Sequence, residues 1–221
     1  MSLMKSPGFT LAAALCLAAS YTWAQPAADP LSDAPEGRMS SSAPLVDEPS
    51  TYAQALERWR GAEDVHAWIG ARFNYDKARA VQLSETQRQK SGRLPVIAPP
   101  EFFAQPDGVC VDLARFAVET LRRIDPAAKA AYVMIEFDPL TIAGNTLRRH
   151  WLVSFENDGR RYFFADSKRP GHVDGPYAST REFIEEYEKY RGRRIVAFQE
   201  RESFERQHRA AARRLQSQEQ R

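Results

Sequence analysis

Three residue types capable of hydrolytic chemistry follow one another at wide spacing: Cys110 in the stretch Pro106-Asp107-Gly108-Val109-Cys110-Val111-Asp112, then His150, then Asp166. A cysteine opening a helix, with a histidine and a carboxylate on later strands, is the order of parts in a thiol hydrolase or acyltransferase. The thiolate attacks an amide or thioester carbonyl, the imidazole takes and returns the proton, and the carboxylate fixes the imidazole tautomer. Cys110, near the third residue of its helix, would gain from free backbone N–H groups and the helix dipole, and its own N–H is the natural first oxyanion donor.

The helix that must carry the thiol is the clearest in the chain. Cys110, Leu113, Ala114, Ala117, Val118, Leu121 and Ile124 share one apolar stripe, with Arg115, Glu119, Arg122 and Arg123 off it. Asp107 is placed to cap it and Asp125-Pro126 to end it. Three strand-like runs follow, at 131–137, 147–156 and 160–166, the last two joined by Asn157-Asp158-Gly159. A three-residue loop there makes paired residue numbers sum to 316 and sets His150 directly opposite Asp166, with Cβ atoms about 5 Å apart. A two-residue loop makes the sum 317 and sets Asp166 opposite Trp151 instead. The catalytic reading thus makes a demand on one turn.

Before the nucleophile helix, Val65, Trp68, Ile69 and Phe73 mark one or two leading helices, followed by a polar, Pro-rich connection ending in Pro99-Pro100. After the strands, Ser179-Thr180-Arg181-Glu182 reads as a capping box opening a helix that buries Phe183, Ile184, Tyr187 and Tyr190, and Ile195 to Phe198 reads as a last strand. The domain plan is a signal peptide at 1–24, a flexible linker at 25–50, one domain at 51–199 and a charged tail at 200–221.

The leader rests on Lys5, a short apolar run from Phe9 to Ala19, and small residues at Thr22 and Ala24 for cleavage after Ala24. The run is too short to span a bilayer, so no integral membrane segment is expected after cleavage and the destination is periplasmic or secreted. Cys16 leaves with the leader, and Cys110 is then the lone cysteine of an exported chain, either a buried inert thiol or a reactive one. Lys and Arg number 31 against 29 Asp and Glu, a balance that excludes a strong field for nucleic acid.

The Gly108-Val109-Cys110-Val111-Asp112-Leu113-Ala114 helix start, the His150-Trp151 strand and the Tyr162-Phe163-Phe164-Ala165-Asp166-Ser167 strand resemble the Cys, His and Asp blocks of the transglutaminase-like superfamily, in particular its bacterial cysteine proteinases. The resemblance spans 52–198 and implies an α+β, papain-like fold with the nucleophile helix packed on an antiparallel sheet. It implies a Cys110, His150 and Asp166 triad acting on protein or peptide amides, hydrolysis being favoured because no site for a second, amine-bearing substrate is evident. It further implies an aromatic residue near the oxyanion site, for which Tyr75 or Trp68 is available.

Animal transglutaminases bind calcium, but no acidic loop motif here requires it, and neither cofactor nor metal is expected. Cys110, His150, His172 and Asp166 lack zinc-ligand spacing. Gln105 invites comparison with the oxyanion glutamine of papain-type proteases, although it lies in a loop where solvation is the simpler reading. Arg148, Arg149, Arg160 and Arg161 are either a draw for an acidic substrate or a solvated face. Two rivals stand beside the enzyme: a catalytically silent transglutaminase-like module that binds a peptide or partner protein, and a structural envelope protein whose cysteine is core.

Overall fold

The computed structural model describes residues 48–91, 94–164 and 172–205. The expected leader with Cys16, most of the expected linker, Asp166 and Ser167 to Gly171 lie outside the described residues.

Two helices lead in, α1 (Tyr52–Arg58) and α2 (Ala62–Arg72). Thr51 caps the first, its hydroxyl accepting from the Gln54 N–H at 3.2 Å. Glu63 and Asp64 sit at the positive end of the second and Arg72 at its negative end. The expected stripe of Val65, Trp68 and Ile69 is buried, and Phe73 closes it. A two-residue strand, β1 (Asn74–Tyr75), follows.

The stretch that reads as a polar connection folds into two short helices, α3 (Lys77–Gln82) and α4 (Glu85–Ser91), before α5 (Pro99–Ala104). Only Ala80 of α3 and no residue of α4 is buried. With so little apolar surface there is no periodic signal, and these helices are held by tertiary hydrogen bonds such as Gln87 Nε2 to Asn145 Oδ1 at 2.8 Å. Next come β2 (Asp107–Gly108), parallel to β1, and α6 (Cys110–Ile124).

The rest of the chain builds a five-stranded antiparallel sheet from β3 (Ala131–Ile142), β4 (Asn145–Asn157), β5 (Arg160–Phe164), β6 (Asp174–Tyr177) and β7 (Ile195–Arg201), in the order β6-β5-β4-β3-β7. Helix α7 (Thr180–Arg191) carries the chain from one edge of the sheet to the other. Ser179 caps it as expected, accepting from the Glu182 N–H at 3.2 Å, while the Glu182 carboxylate reaches the Ala178 N–H at 2.7 Å. The architecture is α+β.

Two apolar layers flank the sheet. On one face α6 packs with Met134, Trp151, Val153 and Phe155, backed by α1, α2 and α5. On the other, Val133, Ile135, Phe137 and Leu152 meet Phe183 and Tyr187 of α7. Each large side chain buried in full contributes roughly 1.5–3 kcal/mol, and Phe116, Leu113 and Leu121 of α6 are all at 0% exposure. The packed chain runs past the expected limit at 199: β7 continues to Arg201, and the Phe204 ring meets Tyr132 at 5.9 Å.

Candidate functional site

Cys110 is the first residue of α6, not near its third, and Val109 rather than Asp107 is the N-cap residue. Asp107 is engaged in β2, and its N–H goes to the Gln105 carbonyl at 2.8 Å. A valine has no acceptor, so the helix start is tied from the other side: Asp112 reaches back to the Val109 N–H at 3.1 Å.

Asp112 does more than cap. Its side chain is fully buried and takes Arg79 of α3 in a two-pronged ion pair, Nε at 2.7 Å and a terminal nitrogen at 2.8 Å. It also accepts from the Ile97 N–H at 2.9 Å. The carboxylate beside it holds the Arg79 guanidinium even further above its ordinary range. One carboxylate thus joins α3, the 94–97 segment and the helix start. Sequence reading passed over this residue, although an acid three places after an N-cap that cannot accept was an available signal.

These elements wall a cavity of about 860 Å³ over the first turn of α6. Cys110 lies at its floor with Val109, Val111, Met134 and Trp151, and α3, α4 and the 94–96 segment form the opposite wall. Its described lining residues include five arginines and three glutamates, and no histidine.

His150 is not there. Along β4 the register is regular from Arg149 to Ser154, with Trp151 opposite Met134 and His150 opposite Ile135. Alternation sends Trp151 and Val153 to the α6 face and His150 and Leu152 to the α7 face. His150 is fully buried on that second face, its Nε2 3.2 Å from the Tyr187 hydroxyl and its ring stacked on Tyr187 at 6.1 Å. Arg191 donates to the same hydroxyl at 2.9 Å. Arg149 and Trp151 of β4 line the cavity together with Cys110, while His150 packs in the α7 layer.

The hairpin decides the third member. Asp158 and Gly159 both have positive φ, 50° and 71°, and form a two-residue loop of the primed type. Pairing runs from Asn157 with Arg160 to Val153 with Phe164, the register of sum 317. The three-residue loop is thereby corrected, and with it the register argument that set Asp166 opposite His150. Asp166 itself lies outside the described residues.

Of the two oxyanion aromatics, Tyr75 pairs through β1 with Gly108, two residues before Cys110. Trp68 is deep in the core, stacked on Phe103 at 4.8 Å. Gln105 is exposed at the end of α5. His172 pairs with Asp174 at 3.3 Å, and no group of three or more His, Cys, Asp or Glu among the described residues is arranged to hold a metal. No helix among them is long and apolar enough to cross a membrane.

The arrangement offers apolar lining residues, a thiol within the first turn of a 15-residue helix, and charged lining residues of both signs. No protein-family model matches the chain, and no curated protein matches it either.

Proposed function

We propose that the chain is an exported, transglutaminase-like binding module of papain-like fold whose cleft over Cys110 receives a peptide segment of a partner in the cell envelope. What carries the reading is the placement of Cys110 in the apolar layer of α6 and of His150 against Tyr187 of α7, on the other face of the sheet. The cavity supports it in size, since about 860 Å³ falls within the range of ligand pockets. The leader-like residues at 1–24 support a periplasmic or secreted destination.

A thiol hydrolase is the second reading, favoured by one observation: Cys110 stands at the first turn of a long helix and lines a cleft. The two readings separate by alkylating Cys110 across a pH series in the wild-type chain and in His150→Ala. The binding module requires the two pH profiles to coincide. Fast labelling far below the ordinary thiol value of about 8.5, lost in the variant, would establish a thiol–imidazole pair and overturn the reading.

A further inference from the structure

Resting on the binding reading, the charges of the cleft go further and specify what the peptide must carry. Among its described lining residues arginines outnumber glutamates five to three, and their partners differ. Arg115 is tied to Glu119 at 2.9 Å. Arg149 donates to Glu136 at 3.1 Å. Arg148 stands in the irregular stretch of the β3–β4 pairing, between the Glu136–Arg149 and Leu140–Leu147 pairs, where strict alternation is broken. Its Nε is shielded from solvent and has no hydrogen-bond partner, although the side chain as a whole is 36% exposed. The Glu136 carboxylate already serving Arg149 is 4.0 Å away, too far to accept from it. Arg201 spends Nε and a terminal nitrogen on the neutral Gln199 amide oxygen, at 3.1 and 2.6 Å, and lies over the Trp151 ring at 5.9 Å.

A guanidinium N–H with no acceptor is costly, and it is the 36% exposed remainder of the Arg148 side chain that is open to an incoming oxygen. A guanidinium fork suits a carboxylate in particular. We infer that the cleft selects a peptide bearing a carboxylate, as its C-terminus or an acidic side chain, with Arg148 and Arg201 as anchors and the Met134, Trp151 and Phe204 surfaces holding an adjoining apolar side chain. Glu85, Glu136 and Glu205 in the same lining offer acceptors for peptide N–H groups, which a plain hydrocarbon tail would leave unused.

Cys110 supplies the reporter. Two chloroacetyl dipeptides, chloroacetyl-Ala-Ala as free acid and as amide, are compared for their rate of labelling the Cys110 peptide, read by mass spectrometry in the full chain. The acid-to-amide ratio in the same chain unfolded in urea sets the intrinsic value, and chloroacetamide reports bare access to the thiol. At low salt the native ratio is expected to exceed the unfolded one by about threefold or more, to fall in 0.5 M salt, and to fall likewise in Arg148→Gln. A native ratio equal to or below the unfolded value overturns carboxylate selection, while the peptide cleft itself stands if both dipeptides label faster than chloroacetamide. Failure of both dipeptides to label native Cys110 overturns the selection and the binding reading together. The comparison of native with unfolded wild-type chain holds even if Arg148→Gln does not fold.

Discussion

Replacing Asp112 by alanine tests the link between the fold and the cleft. The carboxylate is fully buried, holds both prongs of Arg79 and accepts the backbone N–H groups of Ile97 and Val109. Removing it leaves a guanidinium that is only 15% exposed without its counter-charge, and two backbone donors without acceptors. Breaking a buried pair from one side costs about 3–5 kcal/mol. Arg79 retains its bond to the Pro95 carbonyl at 2.7 Å and some contact with water, which points to the lower end, about 3 kcal/mol. Against a typical total of roughly 5–15 kcal/mol this is a large share, and for a chain of this size it lowers Tm by roughly 6–12 °C. Urea unfolding followed by tryptophan fluorescence measures it. Because Asp112 also pins the wall of the cleft, Cys110 in the folded variant should alkylate faster than in wild type. Asp112→Leu combined with Arg79→Met should cost less than Asp112→Ala alone, since no charge is then stranded. A loss below about 1 kcal/mol for Asp112→Ala, with Cys110 labelling unchanged, would refute the reasoning.

Two further outcomes follow from the packing. Burial, with the negative charge of Glu119 adding to it, pushes the Tyr132 phenol above its ordinary value, and burial does the same for Tyr52 and Tyr177. The folded state therefore holds these protons after the unfolded chain releases them near pH 10, so the stabilisation is complete below pH 10 and is lost as pH rises above it. Tyr132→Phe should flatten that alkaline decline by up to about 1.4 kcal/mol per pH unit in denaturation at pH 9 to 11, and an unchanged slope would remove Tyr132 from the account. Gly108 is needed for close approach: a Cβ there would lie 3.0 Å from the Phe102 ring and 3.1 Å from the Asp112 Cβ, both buried. Gly108→Ala should cost about 1–3 kcal/mol in urea unfolding, and a neutral result would mean that the helix start yields more readily than its packing implies.

Local structure was legible wherever the physics is local. The stripe from Cys110 to Leu121, the Ser179 cap and the Asn157-Asp158-Gly159 turn each announce themselves within a few residues, and α6, α7 and the β4–β5 hairpin stand where those signals lie. The pair α3 and α4 was not legible, because helices that bury almost nothing carry no apolar period and depend on partners such as Asn145, about sixty positions away. Asp112 was passed over for a related reason: its partners Arg79 and Ile97 are brought to it by the fold, and nothing in their spacing along the chain marks them.

Residue types and their spacing are enough to say that Cys110 opens an apolar helix, that strands follow it, and that His150 and Trp151 must face opposite ways. Which of those two faces meets the helix of the cysteine is set by long-range packing. From His150 to Phe155 every residue of β4 is buried, so the strand shows no polar and apolar alternation from which an inner face could be read. One residue more or less in the hairpin loop changes which residues stand opposite one another, and Asp158 with Gly159 fixes the shorter form. The side of the sheet on which α6 settles then puts Trp151 and Arg149 into the cavity that Cys110 lines. That choice belongs to the packing of two apolar layers against one sheet, a property of the whole domain that no short stretch of chain contains.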